Sequence, residues 1–266
     1  MTTPPAVLRS AGMLIIAHRG ASHDAPENTL AAVRLAWAQG ADALEIDVHL
    51  TRDGRLAVIH DPDTRRTAGV ERVVAATSLA ELQTLDVGSW KGATFAGERI
   101  PALEDVLALV PAGKRVFVEI KGGPGVADEL RRCVEAALKT KTLQPAQVAI
   151  IAFDLAAARA AKQVLPALEV CWLADSGAEA PRPTLAALVE TALAAGLDGI
   201  DVDAGWTLTR ASVAAARAAG CAVYVWTVDD VTAARHLKSA GVDGLTTNRP
   251  GWLRAQLAGA GRERPA

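Results

Sequence analysis

Short β-branched runs alternate along this chain with longer alanine-rich stretches whose apolar positions recur every three or four residues. The runs predict strands over 14–18, 43–50, 115–121, 147–154, 168–174, 199–203, 222–228 and 242–247. Helices of about 10–15 residues fit between them. The first covers 30–39 and stops at Gly40. Thr184, Thr209 and Asp230 stand where helix first turns should begin, and Gly196, Gly220 and Gly241 where helices should end. Strand and helix in strict alternation imply a parallel sheet with both faces covered.

One segment breaks the rhythm. Residues 55–60 (Arg-Leu-Ala-Val-Ile-His) read as a strand, yet only a few residues separate them from the strand 43–50. A parallel neighbour needs a crossover of about a dozen residues, so the pair must form an antiparallel hairpin. With Asp53-Gly54 as a two-residue turn, Arg52 faces Arg55 and Asp47 faces His60. Glu45 and Asp47, two residues apart, then share one face, and His60 joins them.

Eight parallel strands remain, each followed by a helix, which predicts a (β/α)8 TIM barrel of the α/β class. A doubly wound sheet would normally carry a Gly-rich nucleotide loop after its first strand. Here that position reads His18-Arg19-Gly20-Ala21-Ser22, without one. Residues 13–258 form the expected single domain, 61–101 an insertion over the barrel mouth, and 1–12 and 259–266 loose tails.

Composition narrows the function. The chain has 266 residues, half of them hydrophobic, with 28 Lys+Arg against 30 Asp+Glu and a net charge of −2. That balance argues against nucleic-acid partners. Three scattered cysteines, Cys133, Cys171 and Cys221, give neither a zinc motif nor a disulfide framework and fit a reducing compartment. No apolar run is long enough for a membrane span or a signal-peptide core, so the expected location is cytoplasmic, without stable membrane insertion.

Barrel enzymes work at the C-terminal ends of their strands. The polar residues expected there are His18, Arg19, Glu45, Asp47, His60, Asp61, Glu119 and Lys121. Three carboxylates converging on one interior repel one another by roughly 4 kcal/mol per pair at about 4 Å and an effective dielectric of 20. A hard divalent metal, Mg²⁺ or Ca²⁺, with oxygen ligands is the natural compensation, and the lack of Cys or paired-His spacing disfavours zinc. His23, His49 and His236 read as structural, Ser22 lacks a nucleophile elbow, and Trp37 and Trp252 read as core.

The ordered set His18-Arg19-Gly20, Pro26-Glu27-Asn28-Thr29, Glu45-Ile46-Asp47-Val48, Thr51-Arg52-Asp53-Gly54, His60-Asp61, Glu98-Arg99-Ile100-Pro101 and Val118-Glu119-Ile120-Lys121 resembles the glycerophosphodiester phosphodiesterase family. The likeness continues through Trp226-Thr227-Val228 to Gly244-Leu245 and Thr247. It implies metal-dependent hydrolysis of glycerophosphodiesters to glycerol 3-phosphate and an alcohol, by attack of water or of the glycerol 2-hydroxyl. By the same resemblance Glu45, Asp47 and Glu119 are the metal ligands and His18 and His60 the acid/base pair. Arg19 and Lys121 contact the phosphate, and Trp226 walls the pocket. The chain departs from the family at Ala152, where Ser is frequent, and at Asn248, where Asp is common. Both are expected to bear on substrate choice rather than on the acid/base set. Trp172, Trp206 and Trp226 are expected to wall a compact pocket, and the charged insertion to act as a solvated cap. A lysophospholipase D and a non-catalytic phosphate-binding barrel are the alternative functions.

Overall fold

The computed structural model describes residues 12–140, 143–177 and 183–259; the segments 1–11 and 260–266 of the expected tails lie outside the described residues. Strand β1 (Leu14–His18) leads through helix α1 (Leu30–Ala38) to β2 (Ala43–Leu50), which folds back as β3 (Leu56–Val58). Four elements follow in the insertion and return: α2 (Arg65–Ala68), α3 (Leu79–Leu82), α4 (Leu103–Leu107) and then β4 (Arg115–Ile120). From there strand and helix alternate: α5 (Ala127–Lys139), β5 (Val148–Ala152), α6 (Leu155–Val164), β6 (Glu169–Ala174), α7 (Leu185–Ala194), β7 (Gly199–Asp203), α8 (Arg210–Ala218), β8 (Ala222–Trp226), α9 (Val231–Ala240), β9 (Gly244–Thr247) and α10 (Pro250–Gly259).

The parallel strands run in the order β1-β9-β8-β7-β6-β5-β4-β2, and β1 pairs with β2 to close the ring. The barrel is therefore the expected (β/α)8, with β3 hanging antiparallel on β2. Side-chain alternation sorts the core into two layers. Val33, Leu44, Ile46, Val118, Ile150, Val170 and Leu245 face the helices. Ile16, Phe117, Ile151, Leu173 and Tyr224 fill the interior, so the barrel is packed rather than a pore. The helix caps fall where the sequence puts them. Thr184, Thr209 and Asp230 accept from first-turn amides, and Gly196, Gly220 and Gly241 take the left-handed conformation that ends a helix. No described helix is long and apolar enough to cross a membrane.

The hairpin departs from expectation by one residue. His49 pairs with Ala57 and Leu50 with Leu56, so the same register sets Asp47 against Ile59, whose N–H donates to the Asp47 carbonyl at 3.1 Å. The loop has three residues, because Thr51 rather than Arg52 pairs with Arg55 and Gly54 adopts φ +72°. A three-residue loop with a left-handed glycine in last position is the next most favoured hairpin connection after the two-residue turns. His60 thus lies beyond the end of β3 and reaches the mouth from the loop, not from a paired strand position.

The insertion is more than a solvated cap. Ile59, Val74, Leu79, Leu82, Val87 and Ile100 form a small apolar core of their own beneath its charged surface. Trp37 and Trp252, expected in the core, are only half-buried and pack on its rim.

Candidate active site

The pleat and the parallel register assemble the acidic cluster. Glu45 and Asp47 alternate inward on β2, and across the ladder His18 neighbours Glu45 while Asp47 neighbours Glu119. Carboxylate oxygens of Glu45, Asp47 and Glu119 all lie within 4.8 Å of one another, at 3%, 0% and 7% exposure.

Loop residues hold this cluster from the side. Arg19 and Asn28 have φ of +55° and +57°, the left-handed region that costs a non-glycine residue about 1 kcal/mol or more. Each turns a polar group into the site as a result. The Arg19 N–H donates to Glu45 Oε2 at 2.9 Å, and Asn28 Nδ2 donates to Asp47 Oδ2 at 2.8 Å. Gly20 lets the loop lie on α1, where a Cβ would meet the Ala32 backbone at 2.7 Å.

Two cations stand over the carboxylates. Lys121 Nζ is 2.6 Å from Glu119 Oε1 and 3.1 Å from Asp47 Oδ1, and Arg19 Nε is 3.2 Å from Asp47 Oδ2. The three acids respond differently. Burial raises the carboxyl of Asp47, but Lys121 and Arg19 overcome it and hold the group at about 2. Burial and the Asp47 charge push Glu119 up to about 7 in spite of Lys121. Burial, Asp47 and Glu119 together drive Glu45 well above the carboxylate range, and its Oε1 has no hydrogen-bond partner. An orphaned buried oxygen in an all-oxygen cluster short of positive charge fits a hard divalent cation.

The histidines flank the cluster. Burial and the Arg19 charge lower the pKa of His18, whose Nε2 lies 4.0 Å from Glu45 Oε2. His60 Nδ1 donates to Asp61 Oδ1 at 2.7 Å. Arg66 of α2 fixes Asp61 with Nε at 2.6 Å and reaches Glu27 with Nη1 at 2.7 Å, and Glu27 in turn holds Arg19 at 2.9 Å. The insertion therefore contributes a clamp that orders both sides of the mouth.

These side chains line a cavity of about 250 Å³ that also contains Phe153, Leu173, Asp201 and Trp226. Phe153 meets the Trp226 ring edge-on at 5.5 Å. The structure thus brings together His18, Arg19, Glu45, His60, Glu119, Lys121 and Trp226 around one space, with Asp47 directly beneath.

Several expectations need correction. Trp172 and Trp206 do not line this cavity; both pack into the barrel–helix layer, Trp172 because Cys171 and Leu173 take the inward positions on β6, and Trp206 from the loop after β7. Ala152 also faces the helices, so a hydroxyl there would not point into the cavity. Asn248 does touch His18, with Oδ1 2.8 Å from Nδ1, and is not remote from it as expected. His49 supports His60 through its backbone carbonyl at 2.9 Å, and His236 bonds the Leu208 carbonyl.

The sequence assigns no role to Phe153, Asp201 or Asp229, and marks Glu27 only as a member of the Pro26–Thr29 motif. A carboxylate in the middle of the apolar strand 199–203 was the available signal for Asp201, which is 1% exposed and raised by burial. A second acidic group, Glu104, Glu129 and Cys133, lies among the helices. Arg132 ion-pairs with both glutamates at 2.8 and 2.6 Å and Arg55 adds a second guanidinium 2.9 Å from Glu104, so this group is already neutralised.

The model of the glycerophosphoryl diester phosphodiesterase family matches residues 18–252. A glycerophosphodiester phosphodiesterase of Caldanaerobacter subterraneus is 35% identical over 245 residues, 89% of this chain and 94% of its own. One from Bacillus subtilis is 31% identical over 250 residues, 90% of this chain and 84% of its own. Among solved structures, an Oleispira antarctica phosphodiesterase in complex with the product sn-glycerol-3-phosphate superposes with a TM-score of 0.80 at 29% identity, covering 92% of this chain and 96% of the other. Like these relatives, the chain belongs to the glycerophosphoryl diester phosphodiesterase family and is a glycerophosphodiester phosphodiesterase.

Proposed function

We propose that the domain 13–258 hydrolyses small, deacylated glycerophosphodiesters to glycerol 3-phosphate and an alcohol, using a divalent metal held by Glu45, Asp47 and Glu119. The observation that carries this reading is the buried, under-neutralised carboxylate cluster beside two histidines and two cations at one cavity. The metal, when bound, supplies Lewis-acid polarisation of a phosphoryl oxygen.

The chain's own residues do the rest. Arg19 and Lys121 sit on the carboxylates and project charge toward the cavity, where the phosphodiester anion needs it. One of His18 and His60 takes the proton of the attacking oxygen, of water or of the glycerol 2-hydroxyl, and the other gives one to the leaving alcohol. Phe153 and Trp226 form an apolar wall for the carbon skeleton, and a space of about 250 Å³ suits glycerol with a headgroup better than an acyl chain.

Glycerol 3-phosphate release from glycerophosphocholine and glycerophosphoethanolamine, with and without a chelator, tests this reading. Clearly higher kcat/KM on these than on the long-chain lyso forms below their micellar concentration is expected. Preference for the acylated substrate would make the protein a lysophospholipase D, and tight binding without turnover a phosphate-binding barrel.

A further inference from the structure

We infer that Asn248, oriented by Asp229, is a positioning residue that fixes the proton of neutral His18 on Nδ1 and leaves Nε2 as the proton acceptor at the cavity. The inference rests on the catalytic reading of His18 given above and adds to it which ring nitrogen faces the reaction.

The reasoning follows donors and acceptors along one chain of hydrogen bonds. Asp229 offers only acceptors when ionised. Its Oδ1 accepts from the Asn248 N–H at 2.9 Å and the Thr247 hydroxyl at 2.7 Å, and its Oδ2 faces Asn248 Nδ2 at 2.5 Å. A carboxylate cannot donate, so the amide group of Asn248 must turn its NH₂ toward Asp229. The other end of that amide is then necessarily the carbonyl oxygen. Two groups approach this oxygen: the Ser22 hydroxyl and His18 Nδ1, both at 2.8 Å. An oxygen with lone pairs on this side requires a hydrogen on Nδ1. In the neutral ring the hydrogen is then absent from Nε2.

The free ring position is the one that faces the chemistry. Nε2 lies 4.0 Å from Glu45 Oε2, on the cavity side, and His18 lines the cavity. Isolated imidazole has no such fixed assignment, and a ring turned to the other tautomer would present a hydrogen where a lone pair is needed. Asn248 and His18 are 230 residues apart, at opposite ends of the chain. Pairing of β1 with β9 brings them together. Asn248 thus comes with a partner carboxylate one hydrogen bond further out.

The metal-loaded protein, labelled with ¹⁵N-histidine and held at a pH where the ring is neutral, tests this directly. Long-range proton–nitrogen correlation should show His18 with Nδ1 protonated and Nε2 unprotonated; protonated Nε2 overturns the inference in the wild-type protein, without any variant. The swap of polarity provides a second arm. Asn248→Asp sets two carboxylates against each other, and Asp229→Asn frees the Asn248 amide to turn. Each should lower kcat at least ~10-fold with little change in KM. The double variant Asn248→Asp/Asp229→Asn restores a donor facing a carboxylate and an acceptor facing His18, so it should recover kcat to within a few-fold of wild type and keep the Nδ1–H tautomer. A folded double variant no better than the poorer single one overturns the inference. If instead His18→Ala itself retains turnover, the catalytic reading fails while the tautomer measurement still stands.

Discussion

The two ends of the barrel interior hold similar side chains under different electrostatic terms. At the N-terminal end, Glu169 has both oxygens engaged, by Arg115 Nη2 at 2.5 Å and the Tyr224 hydroxyl at 2.8 Å, and Arg115 Nη1 also reaches that hydroxyl at 3.2 Å. Phe117 lies against the guanidinium at 4.9 Å and meets the Tyr224 ring at 5.0 Å. One acid, one cation and one hydroxyl close a triangle within the barrel. At the C-terminal end three acids meet two cations, and Glu45 Oε1 remains without a donor. A buried acid paired within its own cluster holds strands together. A cluster that stays short of positive charge, beneath an open cavity, is configured for what enters from outside.

Charge removal should therefore act oppositely at the two ends. Chelation, or Glu45→Gln, should reduce glycerol 3-phosphate release to background, while the urea midpoint of metal-free Glu45→Gln stays level with or above that of the metal-free wild type, because the amide cannot ionise where burial, Asp47 and Glu119 disfavour a charge. A Glu45→Gln protein with full turnover would break the comparison.

Next in size are the histidines. His60→Ala and His18→Ala should each lower kcat by about 10² or more, the contribution of a positioned acid or base. His49→Ala, which removes only a bond to the His60 carbonyl, should cost far less. Equal damage from His49→Ala and His60→Ala would put the hairpin register in question.

At the other end Glu169→Ala should leave Arg115 buried without its partner and destabilise the fold by about 3–5 kcal/mol, with kcat per folded molecule unchanged. Denaturant melts combined with active-site titration read both quantities.

The smallest effect is a pH dependence. The folded carboxyl of Glu119 stands at about 7 against its usual 4.5. Being raised on folding, it contributes stability that is fully present below about 4.5 and is lost as pH climbs toward about 7. Over that window the chelated wild type should lose thermal stability relative to Glu119→Gln, and added Mg²⁺ should reverse the loss in the wild type. Parallel Tm–pH curves for the two proteins would remove Glu119 from the under-neutralised set.

Asp47 behaves differently from its neighbours, and this difference was not legible in the chain. The sequence presents Glu45, Asp47 and Glu119 as three equivalent acids whose removal should relieve repulsion. In the fold Asp47 sits between Lys121 and Arg19 and is held at about 2, so deleting it takes a shared partner from both cations and leaves Lys121 with Glu119 and Arg19 with Glu27.

By itself the sequence determined the alternation of strands and helices, the hairpin, the closed barrel, and the shared face of Glu45 and Asp47. Each depends on the pleat and helix periods, which act between residues near in sequence. Only the tertiary structure decided how His60 arrives, because one extra loop residue shifts the register and moves it off the paired strand. It also decided that Trp172 and Trp206 do not join Trp226 in the cavity wall, that Arg66 of the insertion clamps Asp61 and Glu27, and that Asn248 bonds His18. These contacts form between segments far apart in the chain, and ring closure sets their distances, burial and charge balance together, which no local period encodes.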